Sequence, residues 1–566
     1  MTNPRRTGRA FQIALSSLPS LGLAGCGPGQ GSGPPPLFED VTSELGLPAA
    51  AETWPDGTYS TPEIMQGGVG LFDCDEDGDL DLCHVRVPPP RATEKRISNR
   101  MYRQESDGRF ADVTEEAGLA EAGFGQGLAV GDTENDGDLD LYITNYGPDS
   151  FFANGGEGRF ANVTERAGFR DDWWSTSAAF GDYDADGFLD LYVAHYLRFD
   201  PGKRCTDPSD REEYCGPRAF NGAPDTLYRN EGNGTFSDRT QEAGIVLPQQ
   251  GARATGLGVV FTDLTQDGRP DVFVANDAQA NQLWVNRGDG TFADEGILRG
   301  VAFDQQGRPE ANMGIAVGDV DRDGLLDLLV THLWQENNRL YLGTRGPLFR
   351  DFTVGSGLSR HDLERTGFGC GFFDFDHDAD LDLALVNGAV RRRPPLPGAP
   401  RGFWADYAEP NELFENDGSG VFTLVDEKAG SFASEVEVSR GLAFGDLDSD
   451  GDVDMVVSNA DNSLRAYRND APTAGCHWLQ VRVLTRGRDA LGAQIRLRAG
   501  GREFLGLALS AYSYCSASDP RAHFGLGPTA VIDEIAVLWP DGTRETFPGT
   551  AVDRGITLRQ GEGRKP

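Results

Sequence analysis

The stretch Gly127-Leu128-Ala129-Val130-Gly131, followed by Asp132-Thr133-Glu134-Asn135-Asp136-Gly137-Asp138-Leu139-Asp140, decides how this chain is read. A short apolar run stops at a turn that carries acidic residues at alternate positions and Gly at the sixth. Leu141-Tyr142-Ile143-Thr144-Asn145 then resumes a β-forming run. The phrase Asp-x-Asp-x-Asp-Gly-x-x-Asp, intact or degraded, returns seven times, opening at Asp73, Asp132, Asp182, Asp263, Asp319, Asp374 and Asp446. One such turn every roughly 50 to 80 residues is the signature of a repeat architecture.

Around Asp132 the unit resolves into four strands. Gly127–Gly131 and Leu139–Asn145 flank the Asp turn, Ser150–Asn154 forms a third strand, and a Gly-rich turn leads to a fourth at Phe160–Thr164. Four short strands per repeat make the blade of a β-propeller. The fourth-strand phrase recurs from Phe110, Phe236, Phe292, Phe349 and, degraded, Phe422, and one further copy from Phe38 precedes every Asp turn. The last repeat, ending near Arg468, has no fourth strand after it. Seven turns and seven fourth strands therefore balance only if the strand near Leu37–Val41 closes the last blade, which removes the free sheet edge. The expectation is an all-β fold: a seven-bladed propeller over residues 37–470 with a small C-terminal β-domain.

Carboxylates at alternate positions of a tight turn converge on one centre, and hard cations such as Ca²⁺ take roughly six to eight oxygens. The expected ligands are Asp73, Asp75, Asp77, Asp79 and Asp81 in the first turn and Asp132, Glu134, Asp136, Asp138 and Asp140 in the second. They continue as Asp182, Asp184, Asp186, Phe188 and Asp190, then Asp263, Thr265, Asp267, Arg269 and Asp271. Asp319, Asp321, Asp323, Leu325 and Asp327 follow, then Asp374, Asp376, Asp378, Asp380 and Asp382, and finally Asp446, Asp448, Asp450, Asp452 and Asp454. The seventh position of each offers its backbone carbonyl. An EF-hand needs Glu at the twelfth position, where these turns have residues such as His84, Ile143, Val193 and Val330. The expectation is up to seven calcium sites. The turns at Asp263, with Thr265 and Pro270, and at Asp374, with Ala379 in place of Gly, are expected to be the weakest.

The charge balance agrees with cation binding. With 89 acidic against 51 basic residues the chain carries −38, which argues against nucleic acid as a partner. The N-terminus has Arg5, Arg6 and Arg9, an apolar run from Phe11 to Leu23, and then Leu23-Ala24-Gly25-Cys26. That layout is a signal peptide over residues 1–25, too short to span a bilayer, and residues 26–36 read as a Gly/Pro-rich tether. Eight cysteines fit an oxidising compartment. Cys74 with Cys83, Cys205 with Cys215, and Cys476 with Cys515 are candidate disulfides, leaving Cys370 free.

The Gly-Asp-x-Asp-x-Asp-Gly phrases with Phe-x-Asp-x-Thr resemble FG-GAP repeats, the blades of integrin α-subunit propellers. That resemblance implies calcium loops on the rim that stiffen each blade, with ligand recognition on other loops. Residues 475–561 carry His477-Trp478-Leu479, Leu491-Gly492-Ala493, Asp519-Pro520-Arg521, His523-Phe524-Gly525-Leu526-Gly527 and Trp539-Pro540-Asp541-Gly542. These motifs are similar to the ASPIC/UnbV domain, and their order after the repeats resembles the cartilage acidic protein 1 family. The end of the leader resembles the lipobox of bacterial lipoproteins, which implies lipidation at Cys26. Together the resemblances imply an exported calcium-binding propeller, lipid-anchored in a bacterial periplasm or at the cell surface, that recognises a protein or glycan.

The alternative is a calcium-dependent, polysaccharide-active enzyme of the lyase type. A polar pocket gathering His195, His332 or Tyr196 would favour it; no catalytic set is evident in the sequence. The insert between Asn387 and Asn411, with Arg391, Arg392, Arg393, Phe403, Trp404 and Tyr407, and the insert from Tyr196 to Ala223 are candidate contact surfaces. His523, in a Gly-rich turn, reads as structural.

Overall fold

A computed structural model describes residues 36–49, 57–87, 99–246, 254–346, 348–425 and 427–565. The leader, the tether before residue 36 and the candidate lipidation site Cys26 lie outside the described residues. No helix among those described is long and apolar enough to cross a membrane.

Seven four-stranded antiparallel units form a ring. The second blade runs Gly125–Gly131, Asp140–Asn145, Ser150–Asn154 and Phe160–Asn162, within two residues of the expected strands. Its first two strands are buried along their whole length, because the inner strands of a blade pack against a neighbour on both faces. The cores accordingly lie between blades. One apolar cluster joins Ala129 and Tyr142 of the second blade to Phe180 and Val193 of the third. Ring closure is as expected: Phe38–Asp40 pairs antiparallel with the third strand of the seventh blade, with Phe38 opposite Asn469 and Asp40 opposite Tyr467.

Each Asp turn leaves the end of a first strand, so all seven lie on one face of the ring. The helix Thr61–Met65 and the inserts at 196–223 and 390–411 leave the opposite ends of their strands and occupy the other face.

The C-terminal domain is two packed sheets. One has the order Arg502–Leu507, Gln494–Ala499, Ile532–Leu538, Arg544–Pro548. The other is centred on Trp478–Thr485, flanked by Ala522–Gly525 and, in parallel, Arg554–Arg559. Leu479, Ile495, Leu497, Ile535 and Trp539 fill the space between them.

This domain does more than dock. Its segment Ser510-Ala511-Tyr512-Ser513-Tyr514-Cys515-Ser516-Ala517-Ser518 enters the centre of the ring. Ala517 pairs in parallel with Gly70 of the first blade. The Ser513 amide donates to the Ile315 carbonyl at 2.7 Å and its carbonyl accepts from the Ile315 amide at 3.0 Å. The Cys370 amide donates to Ser513 Oγ at 3.1 Å, and the Cys515 amide to Ser177 Oγ at 3.0 Å. Ser and Ala side chains flank the buried Tyr514 and Cys515 there, and the segment's hydroxyls and amides satisfy inner-strand groups that would otherwise be buried without partners.

The disulfide expectations divide. Cys205 and Cys215 are bonded, with Cα atoms 5.2 Å apart, but Cys74, Cys83, Cys370, Cys476 and Cys515 are free thiols. The Cys74–Cys83 pairing fails on register. Cys83 lies opposite Gly70, four residues before Cys74, so the two are offset along the hairpin. Cys476–Cys515 fails because Cys515 is buried in the central channel while Cys476 stays half-buried on the linker before the C-terminal domain. Cys370 is free, but not for the expected reason, since Cys476 and Cys515 do not pair.

Candidate functional site

Every Asp turn is built by the same bonds. The first Asp accepts the amide of the sixth residue, as in Gly187 to Asp182 Oδ2 at 2.9 Å and Gly324 to Asp319 Oδ2 at 2.9 Å. The ninth Asp is buried and clamps two strands. Asp454 accepts the Leu447 amide at 2.9 Å on one oxygen and the Asn469 amide at 2.8 Å on the other. Asp190 does the same with Tyr183 and Asn230. Two residues per turn sit in left-handed backbone: the sixth, where Gly187 has φ +93°, and the fourth, where Asn135, Ala185 and His377 have φ near +58°.

The turns bring carboxylates from positions one, three and nine together. Five groups able to hold a metal ion gather this way among the described residues: Asp73/Asp75/Asp81, Asp182/Asp184/Asp190, Asp319/Asp321/Asp327, Asp374/Asp376/Asp382 and Asp446/Asp448/Asp454. In each, ligand atoms lie within 4.8 Å of one another. The turns at Asp132 and Asp263, with Glu134 and Thr265 at position three, are not among these groups. The turn at Asp374 is, although Ala379 replaces Gly: Ala379 adopts φ +82° and still donates its amide to Asp374 at 2.9 Å.

The fifth-position carboxylates (Asp77, Asp136, Asp186, Asp267, Asp323, Asp378 and Asp450) lie outside the groups. Each accepts the amide of the seventh residue, namely Asp79, Asp138, Phe188, Arg269, Leu325, Asp380 and Asp452.

The donor set suits a hard cation. Asp73 Oδ1, Asp75 Oδ1, Asp182 Oδ1 and Asp321 Oδ1 are buried with no hydrogen-bond partner. Burial, with the neighbouring carboxylates adding to it, pushes Asp182 up to about 6 and Asp319 up to about 7. A cation at the centre would supply the missing partner and remove the repulsion. Arg229 already ties the outer oxygens of Asp184, at 2.7 Å, and of Asp186.

The sequence reading missed a second regularity. The Asn that ends most third strands reaches into the turn of the preceding blade: Asn154 to Cys74 O, Asn230 to Thr133 O, Asn286 to Tyr183 O, Asn416 to Val320 O and Asn469 to Phe375 O, all at 2.8–2.9 Å. Gln104 takes this role in the first blade, bonding Leu447 O. The signal was present as an Asn, or Gln104 in the first blade, six residues before the fourth-strand Phe, as in Asn154 and Phe160, Asn230 and Phe236, Asn286 and Phe292, and Asn416 and Phe422.

The Asp turns are not an open rim. The C-terminal domain packs against several of them, while carboxylates such as Asp77, Asp323 and Asp450 stay exposed. Arg488, almost wholly buried, reaches Asp182 Oδ2 at 3.6 Å, and Arg496 donates to Gly324 O at 2.9 Å. Gln494 bonds Asp263 O, the Gly527 amide bonds His377 O, and His523 Nε2 lies 2.9 Å from Gly451 O while its ring stacks on Trp478. His523 is thus structural, as expected.

The opposite face is different. Trp404 and Tyr407, expected as contact residues, are buried, and the Tyr407 hydroxyl bonds Glu213 at 2.7 Å to tie the two inserts together. Arg392 is engaged with Asp406 at 3.1 Å, and Arg393 with Glu409. Arg391 remains exposed. Beside it is a cavity of about 560 Å³ between the loops of the fifth and sixth blades and both inserts, with Arg218, Arg308 and Trp334 on its walls. Those three residues were not singled out from the sequence. His195, His332 and Tyr196 are all fully buried, His195 against Asp171, His332 against Asn312, and Tyr196 donating to Asp277.

Comparison with known proteins identifies both halves. Residues 73–143, 132–193, 218–274 and 263–330 match the FG-GAP-like repeat family, and residues 484–565 match the ASPIC and UnbV family. Cartilage acidic protein 1 of Homo sapiens is 29% identical over 331 residues, covering 56% of this chain and 45% of that protein. The Xenopus tropicalis protein of the same name is 28% identical over 307 residues, covering 51% and 42%. The chain thus spans less than half the length of the curated relatives it matches. Among solved structures, the BP39L lectin from Burkholderia pseudomallei aligns with TM-score 0.44 at 10% identity, covering 72% of this chain and 97% of its own. An Agrocybe aegerita lectin, titled for recognition of non-reducing terminal N-acetylglucosamine, aligns with TM-score 0.40 at 16% identity, covering 67% and 86%.

Proposed function

We propose that this protein, a propeller of FG-GAP repeats carrying an ASPIC and UnbV domain, is an exported, calcium-stabilised recognition module that meets its ligand on the face opposite the Asp turns. One observation carries the reading: the C-terminal domain packs onto the Asp-turn face, while the insert face keeps an open cavity walled by arginines and an exposed tryptophan. Calcium then acts on the scaffold, with positions one, three and nine of the gathered turns as ligands. The unpartnered carboxylate oxygens support this assignment. Export is supported by the leader layout and by the Cys205–Cys215 disulfide, and anchoring through Cys26 rests on the leader sequence alone. Binding rather than catalysis is supported by burial of His195, His332 and Tyr196.

The test is elemental analysis of purified protein, melting with and without a chelator, and glycan-array binding in calcium buffer. Bound calcium, a chelator-dependent loss of melting temperature and ligand capture abolished by substitutions on the insert face are the expected results. Protein free of calcium with an unchanged melt would end the calcium reading, and capture that survives those substitutions would end the placement of the site.

A further inference from the structure

The cavity on the insert face has a chemistry unlike the rest of the surface. On a chain of net charge −38, two guanidinium groups stand at its wall without a counterion: Arg218 and Arg391 are exposed and make no ion pair or side-chain hydrogen bond with the described residues. The acidic groups around them are already engaged. Asp304 is held by Arg308 at 2.7 Å, Glu310 by Arg339 at 2.6 Å, and Glu336 accepts the Ala311 amide at 2.8 Å. Both arginines line this one cavity, and Asp277, buried and bonded to the Tyr196 hydroxyl, feels the charge of both.

Trp334, 37% exposed, stands in the same wall with the Arg393 guanidinium 5.1 Å from its ring centroid. A guanidinium is a planar fork matched to a carboxylate, and an exposed indole offers a flat apolar face against which the C–H face of a pyranose packs. At about 560 Å³ the cavity is large enough for a short oligosaccharide.

We infer that this cavity binds a uronate-containing oligosaccharide, with Arg218 and Arg391 receiving sugar carboxylates and Trp334 packing on a ring. The inference rests on the recognition reading above and names its ligand class. A flexible acidic peptide would satisfy the arginines but would leave the rigid apolar face of Trp334 unused.

The experiment is calorimetric titration of the full chain in calcium buffer with trigalacturonate, with neutral trigalactoside of the same length, and with triglutamate. The same titrations are run on Arg218→Ala/Arg391→Ala and on Trp334→Ala, whose melts check folding. The expected result is binding of trigalacturonate alone, weakened about tenfold or more by the double substitution and weakened also by Trp334→Ala. Absence of trigalacturonate binding, equal affinity in the double variant, or triglutamate binding as tightly as the sugar would each overturn it. Capture of a neutral glycan on the array, with the double variant unaffected, overturns this site but leaves the recognition reading standing. A calcium-loaded protein that captures no ligand of any class overturns both.

Discussion

The Tyr514 hydroxyl donates a 2.5 Å hydrogen bond to the Met65 carbonyl, joining the C-terminal domain, which rests on the Asp-turn face, to the short helix Thr61–Met65 on the opposite face. The ring is thus filled from end to end by a segment of its own chain, and Tyr514 packs edge-on against Phe368 at 4.9 Å between centroids. Tyr514→Ala is expected to cost about 3–5 kcal/mol, because the channel walls are β-strands that cannot collapse into the space. Tyr514→Phe should cost about 1 kcal/mol, the worth of the single bond. Chemical denaturation of both variants checks this; equal losses would mean that the ring packing contributes nothing.

Ala379 is held at φ +82°, where six sister turns have Gly. A Cβ in left-handed backbone costs roughly 1–2 kcal/mol. Ala379→Gly should therefore stabilise the folded chain by about 1 kcal/mol after the extra unfolded-state freedom of Gly is subtracted. A lower denaturation midpoint in this variant would show that Ala379 is not strained.

Asp454 holds two buried amides, those of Leu447 and Asn469, and is itself buried. Asp454→Ala orphans both donors at about 1–3 kcal/mol each, calcium or no calcium. Asp448→Ala, at the exposed third position, removes a proposed calcium ligand without breaking that clamp. Melts in chelator should then separate the two: Asp454→Ala remains destabilised relative to wild type, while Asp448→Ala converges on it.

His195 provides a pH signature away from the turns. Burial disfavours its cation, but Asp171, 3.0 Å away, with Asp225 and Asp149 behind it, outweighs that and raises its pKa to about 9. Because the folded value exceeds the unfolded value of about 6.5, the stabilisation is complete below about pH 6.5 and is lost as pH rises through about 9. Wild-type stability should fall across that window, and His195→Gln should lack this part of the fall. Parallel curves for the two proteins would contradict the charged His195–Asp171 pair.

The ring and its count were legible because each turn writes its requirements into adjacent residues. A carboxylate that clamps its own strands, a left-handed position six and a β-forming strand on either side are local demands, met within about ten residues. The same locality exposed Phe38 as the strand that closes the seventh blade. Partnerships across blades were not legible in that way. Cys74 and Cys83 looked pairable from spacing, and only the register with Gly70 set them apart.

By itself, then, the sequence determined an all-β ring of seven metal-type turns followed by a second β-domain, since hydrophobic period and turn chemistry are local. Only the tertiary structure decided that Tyr514 fills the ring, that Arg488 and Arg496 reach the Asp turns, and that Arg218, Trp334 and Arg391 share one cavity on the other face. Those residues are separated by more than a hundred positions in several cases, and no local energy links them. Their meeting depends on how the ring closes and on what its channel has room to accept.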